Sequence, residues 1–341
     1  MNALPQLEAC GTASDEMEAQ DWSCFRQQLE AALAPQQPYL TDLERAMYAG
    51  GKKVRPRVMM LSARLMNPWG PLSDKVYKGA AAVEMLHVAT LIHDDIVDEA
   101  PMRRGLPSIA AARGTKTAVL IGDLQFVQAI RAFASAVDTD SDMALTRRVL
   151  DAAFDLCCGE LDEFDRTLPE DRVERIARYY RTIDRKTGVL FRLACSGGVE
   201  LAGGRTREAR RAGFVGRSIG RAFQIMDDVR DIVELDQYAG KAAGADLIMG
   251  RHSLPLLHAV DALGTDCTIA RAMRGDGSVR EADLDSALDE IRDCGAIDAA
   301  YAAARREAMD ALFFLQPFAP TPARAALSAV AMEIVDRPLN R

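Results

Sequence analysis

The sequence is poor in aromatic residues, which make up 6 % of its 341 residues, and it contains only four histidines. Its seven cysteines are odd in number and form no CxxC pair, which argues against a disulfide framework and favours reduced thiols. No uncharged apolar run reaches about 18 residues, so no transmembrane helix is predicted. The first 25 residues are acidic and polar and lack the pattern of a signal peptide. These absences together predict a cytoplasmic protein.

Positive charge is also in deficit, because 42 Lys and Arg residues face 50 Asp and Glu residues and give a net charge of −8. This balance argues against a nucleic-acid partner. The basic residues are unevenly spread, however, and several stand directly beside acidic motifs. We therefore expect a local anion site on an otherwise acidic protein.

The spacing of apolar residues is helical almost throughout, and no series of short alternating strands is present. With 49 % apolar residues, the chain is predicted to be all-α, with many helices around a central cavity. No linker rich in Pro, Gly or Ser divides it, so we expect a flexible tail at residues 1–20 and one domain at residues 21–341. Helices are predicted at residues 21–34, 38–49, 54–66, 73–98, 107–113, 116–138, 141–165, 171–184, 188–202, 205–235, 253–263, 279–295, 297–314 and 320–337.

Two aspartate clusters carry the strongest functional signal. They are Asp94-Asp95-Ile-Val-Asp98 and Asp227-Asp228-Val-Arg-Asp231, each within a helical stretch. In each cluster the first and last Asp are four residues apart, so both carboxylates project from one face of the helix. Like charges at that spacing repel, whereas Mg²⁺ is commonly held by one or two carboxylates, water and substrate phosphate. Two such helices facing each other would hold a metal–diphosphate complex.

Cationic groups accompany these clusters. Arg103 and Arg104 follow the first cluster, beyond Pro101, which should end the helix. Arg presents a planar donor fork that suits phosphate oxygens. Lys52 and Arg55 follow Gly50-Gly51 at a helix start, a plausible anion site, although solvated surface charge explains this pair equally well. Further candidate phosphate donors are Lys186, Thr187, Gln224, Lys241 and Arg251.

In this order, the motifs resemble those of the trans-isoprenyl diphosphate synthase (polyprenyl synthetase) family. The matching segments are GGKKVRP, LHVATLIHDDIVDEAPMRRG, LIGD, KTG, FQIMDDVRD and GKAAGADLIMGRHSLP, spread over about residues 45–258. The resemblance implies an isoprenoid synthase-type helical bundle, usually a homodimer, with a deep cavity between its two Asp-rich helices. It also implies Mg²⁺-dependent head-to-tail condensation of isopentenyl diphosphate with an allylic diphosphate.

Carried over by position, the resemblance assigns a role to each candidate. It implies that Mg²⁺ is bound by Asp94, Asp98 and Asp227, with Asp95, Asp228 and Asp231 beside them. It implies that the allylic diphosphate is bound by Arg103, Lys186, Thr187, Gln224 and Lys241. Isopentenyl diphosphate would be bound by Lys52, Arg55, His87 and Arg104, with Arg251 as a further substrate contact. Those expected to matter most for catalysis are Asp94, Asp98, Arg103, Lys186, Asp227 and Lys241. Without the resemblance, His87 would be taken as an ordinary core histidine.

The implied chemistry depends on charge rather than on a protein nucleophile. Three Mg²⁺ ions and the cationic side chains neutralise the allylic diphosphate and make it a better leaving group. The C–O bond ionises, the double bond of isopentenyl diphosphate attacks the allylic cation, and the released diphosphate takes the proton. Water must be excluded, or it quenches the cation.

Product length is expected to depend on the cavity floor. Ala89 and Thr90, five and four residues before Asp94, are small, whereas family members resembling farnesyl synthases carry a bulky aromatic there. This predicts a product longer than C15, from geranylgeranyl to medium or long chains such as octaprenyl. Phe126 or Phe133, seven residues apart on one helix, is a candidate for a deeper floor near C20.

Several residues depart from the family pattern and bear on substrate preference rather than on the activity itself. Arg251 and Ser253 stand where Lys and Thr are usual, Glu163 where Gln is common, and Arg230 where an apolar residue is usual. The alternatives are a farnesyl or geranylgeranyl diphosphate synthase and a catalytically silent partner subunit of another synthase. A terpene cyclase would share the fold but would leave Lys52, Arg55 and Arg104 unexplained.

Overall fold

The helical periodicity of the sequence corresponds to helices along most of the chain. The computed structural model describes residues 4–137, 139–233, 244–275 and 281–336. Within these ranges the helices are α1 (Leu4–Leu33), α2 (Asp42–Ala49), α3 (Val54–Arg64), α4 (Asp74–Val97), α5 (Ile109–Arg113), α6 (Thr115–Ala134), α7 (Asp140–Glu163), α8 (Arg172–Ile183), α9 (Val189–Leu201), α10 (Thr206–Val233), α11 (Ala245–Met249), α12 (Leu254–Leu263), α13 (Thr268–Arg274), α14 (Glu281–Asp293), α15 (Ala296–Leu315) and α16 (Pro322–Val335).

Three short elements complete the described part. Ala34–Tyr39 form a 3₁₀ helix, and Asp184–Gly188 form a π-helical turn between α8 and α9. Strands β1 (Met102–Arg103) and β2 (Leu106–Pro107) pair antiparallel as a minimal hairpin. The all-α prediction is therefore confirmed, with this hairpin as its one exception among the described residues.

The N-terminal helix differs most from the sequence-based boundaries. It begins at Leu4 rather than at residue 21, and Glu18 on it forms an ion pair with Arg57 at 3.3 Å. Asp21 accepts hydrogen bonds from Arg64 and from the Tyr77 hydroxyl, both at 2.7 Å. The division into tail and domain stays a prediction.

Helices α11 and α13 were not predicted, because five and seven residues are too few to establish a period.

Local chemistry fixes several helix starts. Thr41 and Glu44 form a reciprocal capping box at α2, and the side chains of Asp171 and Thr321 accept hydrogen bonds from the first turns of α8 and α16. Each cap satisfies a backbone N–H that has no partner within the helix.

Two apolar clusters form the core, and α10 belongs to both. Its first half, including Val215 and Ile219, belongs to the cluster that also contains residues of α3, α4, α6 and α9. Its second half, including Ile225 and Val229, belongs to the cluster that also contains residues of α8 and α12–α15. Helix α10 therefore joins the two clusters and carries the second aspartate cluster at its C-terminal end.

Helix α6 is, among the described residues, the one helix long and apolar enough to cross a membrane, with 44 % of its most apolar window buried. It packs along α4 and buries Gln125, which exchanges hydrogen bonds with Gln36 at 3.0 Å. Core helices of helical bundles have the same composition, so this helix by itself is weak evidence for a membrane span.

Candidate active site

A cavity of about 530 Å³ lies between α4 and α10, and both aspartate clusters reach it. Lining side chains also come from α3, the hairpin, α7, α8, the π-helical turn and the residues after α11. The sequence-predicted residues that line it are Arg55, His87, Thr90, Asp94, Asp98, Arg103, Arg104, Lys186, Thr187, Gln224, Asp227, Asp228, Asp231 and Arg251. The structure thus brings together groups that are up to 196 positions apart in the sequence, from Arg55 to Arg251.

Some predicted residues lie elsewhere. Lys52 is exposed and is not part of the lining. Ala89 and Phe133 are buried in the packed interior, and Phe126 is half-buried against the ring of His93, with ring centroids 6.4 Å apart. None of these three reaches the cavity wall. Lys241 lies outside the described residues.

The first aspartate cluster divides into cavity-facing and inward-facing carboxylates. Asp94 lines the cavity, and its buried Oδ1 accepts no hydrogen bond from any described residue. Burial raises the pKa of Asp94, while Lys186 and Arg103 oppose that rise. Asp95 faces away from the cavity, and its Oδ1 accepts a 2.6 Å hydrogen bond from Arg103 Nε. Asp95 is therefore placed to hold Arg103, whereas Asp94 presents a free oxygen.

The hairpin after α4 presents the paired arginines. Arg104 and Gly105 both have positive φ, 51° and 78°, as a two-residue hairpin turn of this kind requires. The Arg104 guanidinium lies so close to Gly51 that a Cβ there would be 2.6 Å from Arg104 Nη1. The first basic motif and the arginine pair thus meet at one wall. Lys53 instead points inward and pairs with buried Glu84 at 2.9 Å.

Arg55 and His87 are further polar groups of this wall, the first buried and the second half-buried. The Arg55 guanidinium lies 4.8 Å from the centre of the Phe191 ring and 5.9 Å from that of Phe223. Burial lowers the pKa of Arg55 to about 10, so it stays cationic at neutral pH. Burial, followed by the charge of Arg55, lowers the pKa of His87 well below its usual value. His87 is therefore a neutral hydrogen-bonding group.

The second aspartate cluster is supported by a chain of hydrogen bonds. Thr187 Oγ1 donates to Gln224 Oε1 at 2.7 Å, and Gln224 Nε2 donates to Asp228 Oδ1 at 2.9 Å. Asp228 Oδ2 accepts from the Tyr179 hydroxyl at 2.7 Å and from Leu254 N at 3.3 Å. Burial raises the pKa of Asp228 to about 7 despite these donors. Asp228 therefore orients the lining, and Tyr179 is a site residue that no sequence pattern indicated.

Two acidic side chains of α7 hold Lys186 at the cavity. Lys186 Nζ donates to Glu160 at 3.0 Å and to Glu163 at 2.8 Å. Burial alone would lower the pKa of Lys186, but Glu163, Asp94 and Glu160 outweigh it and raise that pKa. Burial likewise raises the pKa of Glu160 to about 7. The cation at Lys186 is thus secured before any ligand arrives.

Arg251 and Arg230, the two arginines that depart from the pattern of the resembled family, both line the cavity. Arg251 donates to Asp98 and lies 3.5 Å from Asp246 and 3.9 Å from Glu163. Arg230 Nη2 lies 3.5 Å from the carbonyl oxygen of Ile334, near the end of α16. Arg230 is thus a lining residue that also contacts the end of α16.

The carboxylates of the two clusters suit a metal ion whose coordination is completed by a bound diphosphate. Among the described residues no three His, Cys, Asp or Glu side chains converge into a complete metal cage. The site instead offers the free oxygen of Asp94, with Asp98 one turn away, and Asp227 and Asp231 on the opposite wall. Hard divalent ions such as Mg²⁺ complete such partial sets with phosphate oxygens and water. The residues therefore fit ions that bridge carboxylates and a diphosphate.

An all-α bundle with carboxylates on two walls and cations between them defines a site for metal-bridged diphosphates. The polyprenyl synthetase family model matches residues 37–291, and the chain belongs to this family. It is therefore a prenyltransferase, and the resemblance predicted from the motifs is confirmed.

Individual relatives match along most of their length. The octaprenyl diphosphate synthase of Escherichia coli is 34 % identical, covering 84 % of this chain and 86 % of that protein. Component 2 of the heptaprenyl diphosphate synthase of Geobacillus stearothermophilus is 29 % identical, covering 93 % and 96 %. A crystal structure of a Caulobacter crescentus polyprenyl synthase, complexed with calcium and isoprenyl diphosphate, superposes with a TM-score of 0.81 at 29 % identity, covering 96 % and 97 %.

Proposed function

We propose that the protein is a Mg²⁺-dependent trans-polyprenyl diphosphate synthase whose product is longer than C15. The observation that carries this proposal is the single cavity lined by both aspartate clusters and by two groups of cations. One group can hold the diphosphate that leaves, and the other the diphosphate that stays on the product. The relatives named for seven- and eight-unit prenyl chains support a product of medium or long length.

The allylic diphosphate is assigned to the wall that joins α4 and α10. Lys186 and Arg103 supply charge, and Thr187 and Gln224 supply hydrogen bonds; Lys241 is a further candidate outside the described residues. Bound Mg²⁺, held by Asp94, Asp98 and Asp227, would neutralise the leaving diphosphate. Because these groups are fixed before the substrate binds, little reorganisation is needed as negative charge develops on the leaving oxygen.

Isopentenyl diphosphate is assigned to the opposite basic wall. Arg55 and Arg104 line it, with neutral His87 beside them and exposed Lys52 outside the cavity lining. The rings of Phe191 and Phe223 pack against Arg55, and Phe223 adds apolar surface to the cavity lining beside these cations. We expect this apolar surface to limit the access of water to the allylic cation.

A product assay tests the proposal directly. Purified protein is incubated with Mg²⁺, isopentenyl diphosphate and, in separate reactions, dimethylallyl, geranyl, farnesyl and geranylgeranyl diphosphates, and the dephosphorylated products are sized. A ladder ending in one dominant length above C15 is expected. A pure C15 product would refute the length assignment, and no elongation from any primer would refute the activity.

A homodimer in the cytoplasm is part of the proposal. Helices α6 and α7 expose large apolar side chains in stripes: Leu120 and Val127 on α6, and Met143, Leu150, Phe154 and Leu161 on α7. Their exposed fractions range from 49 % to 70 %, and their spacing of four or seven residues places them on one face of each helix. An exposed apolar patch of this kind marks an interaction surface. A second copy of the chain, presenting the same stripes around a twofold axis, would cover them.

A hetero-oligomer is the second candidate assembly, because one relative is named as component 2 of a synthase. Both aspartate clusters and the two cation groups are complete in this chain, which favours a catalytic role over a silent one. Turnover by the protein alone supports the homodimer. Turnover that begins only when a second, different chain is added supports the hetero-oligomer.

A further inference from the structure

An ion-pair cluster ties the π-helical turn to α10. Asp184, the first residue of the turn, accepts hydrogen bonds from two arginines of α10. Arg221 Nε lies 2.7 Å from Oδ1 and Arg221 Nη2 lies 2.8 Å from Oδ2, while Arg217 Nε lies 3.1 Å from both carboxylate oxygens. The two arginines are four residues apart and therefore project from the same face of α10.

Arg221 is itself held on two further sides. Its Nη1 lies 3.2 Å from Glu307 Oε1 on α15, and its guanidinium lies 4.7 Å from the centre of the Tyr180 ring on α8. The side chains of Asp184 and Arg221 are only 22 % and 18 % exposed. The cluster is thus a partly buried junction of α8, α10 and α15, with more geometric constraint than a surface ion pair.

The turn fits tightly between two helices. A Cβ on Gly220 of α10 would lie 2.9 Å from Gly188 Cα, and one on Gly159 of α7 would lie 2.7 Å from Lys186 N. Both glycines therefore allow backbone to approach backbone closely. Because backbone packing holds the turn on two sides, its position along α10 depends on the hydrogen bonds between the turn and α10.

The turn is attached to α10 at two places, one on each side of Lys186. Asp184 binds Arg217 and Arg221, and three residues further along both segments Thr187 binds Gln224 at 2.7 Å. Lys186 lies between these two attachments. A shift at Asp184 would therefore move Lys186 relative to Gln224 and Asp227.

We propose that Asp184, Arg217 and Arg221 are positioning residues that set the place of Lys186 and Thr187 for the allylic diphosphate. This inference rests on the proposed function. It assigns the cluster's main effect to one substrate, because the charged and polar groups of the isopentenyl diphosphate wall, Arg55, His87 and Arg104, come from α3, α4 and the hairpin. A cluster that only stabilised the fold would have no such preference.

The test uses the full chain with Asp184→Asn, Arg221→Gln and Arg221→Lys. The matched control is Glu200→Gln, which breaks an ion pair with Arg148 at the far end of α9, outside the cavity lining. The Glu200 and Arg148 side chains are 19 % and 40 % exposed, close to the 22 % and 40 % of Asp184 and Arg217. The measurements are KM for each substrate, kcat, melting temperature, and binding of inorganic diphosphate with Mg²⁺ by calorimetry.

For Asp184→Asn and Arg221→Gln we expect KM for the allylic diphosphate to rise about five- to tenfold, with weaker diphosphate binding by a similar factor. KM for isopentenyl diphosphate should stay within about twofold. Arg221→Lys should recover part of the loss, since it keeps the charge but not the planar fork. Glu200→Gln should leave both KM values and diphosphate binding unchanged.

Three results would overturn the inference: a lower melting temperature with unchanged allylic KM and diphosphate binding, an equal rise of both KM values, or the same changes in the control. If Asp184→Asn does not fold, Arg221→Gln, which keeps the Asp184–Arg217 pair, is judged by the same criteria. A wild-type protein that neither elongates a primer nor binds diphosphate would instead refute the proposed function.

Discussion

Arg251 donates a hydrogen bond to Asp98 across 153 positions of sequence and thereby joins the segment after α11 to the end of α4. The same guanidinium lies 3.5 Å from Asp246, so one cation balances carboxylates from both walls of the cavity. Without substrate, the arginine thus acts as a counter-ion for a carboxylate that is proposed to bind Mg²⁺.

Replacing Arg251 should expose this role. In Arg251→Gln, Asp98 and Asp246 lose a shared cation in a partly buried setting, so the free energy of unfolding without metal should fall by about 1–3 kcal/mol. Mg²⁺ should restore more stability to the variant than it adds to the wild type. Urea unfolding with and without Mg²⁺ measures both effects. Arg45→Gln breaks an exposed pair with Asp42 and should cost less than about 0.5 kcal/mol; equal losses in the two variants would contradict the prediction.

Tyr179→Phe should destabilise the second aspartate cluster. The hydroxyl that donates to Asp228 at 2.7 Å is lost from a buried position, with an expected cost of about 1–3 kcal/mol. Tyr180→Phe is the matched control, because its ring can still stack against Arg221. Urea unfolding of both variants is the measurement, and a larger loss in Tyr180→Phe would reverse the assignment.

Thr90→Phe should shorten the product. Thr90 is the one proposed chain-length residue that lines the described cavity, so a ring there narrows the path directly. Thr90→Ser, which adds no bulk, should leave the length distribution unchanged. The measurement is the size of the dephosphorylated products. A product distribution that is unchanged in Thr90→Phe would show that the growing prenyl chain does not pass Thr90.

Phe154→Glu should disrupt the homodimer. The side chain is 70 % exposed in the single chain, so a charge there costs the monomer little but is poorly tolerated in an apolar interface. Light scattering after size exclusion should give twice the chain mass for the wild type and one chain mass for the variant. Phe313→Glu on α15 is the control, since that ring is 61 % exposed and lies outside the α6–α7 stripes. A variant that remains dimeric would move the interface elsewhere.

Glu44 should make stability depend on acid pH. Burial alone would raise the pKa of Glu44, but hydrogen bonds from Thr41 and Arg113 outweigh it and hold the pKa below its usual value. Its contribution is therefore complete above an unfolded pKa of about 4.3 and is lost as the pH falls through the lower folded value. The stability gap between wild type and Glu44→Gln should be full at pH 7 and shrink in acid, whereas exposed Asp42→Asn should show little gap. A gap that is constant with pH would contradict this.

The sequence predicted the helical class and the two aspartate clusters of the cavity because both depend on local pattern. Four-residue spacing places Asp94 and Asp98 on one face of any helix, whatever packs around it. Tyr179 was missed because its only relevant partner, Asp228, is 49 positions away and no motif joins them. Lys52 was assigned to the site by its motif, but it is exposed and lies outside the cavity lining. Burial and exposure of this kind follow from tertiary packing rather than from spacing.

Helix α4 carries Asp94 and Asp98 at its C-terminal end and runs away from the cavity past Thr90. One turn of an α-helix advances about 5.4 Å, which is similar to the reach of one extended four-carbon repeat of a prenyl chain. If the product grows along α4, successive turns of this helix mark successive condensation cycles. Moving a bulky side chain along α4 by one turn should then change the dominant product by one isoprene unit, and moving it by two turns should change the product by two units.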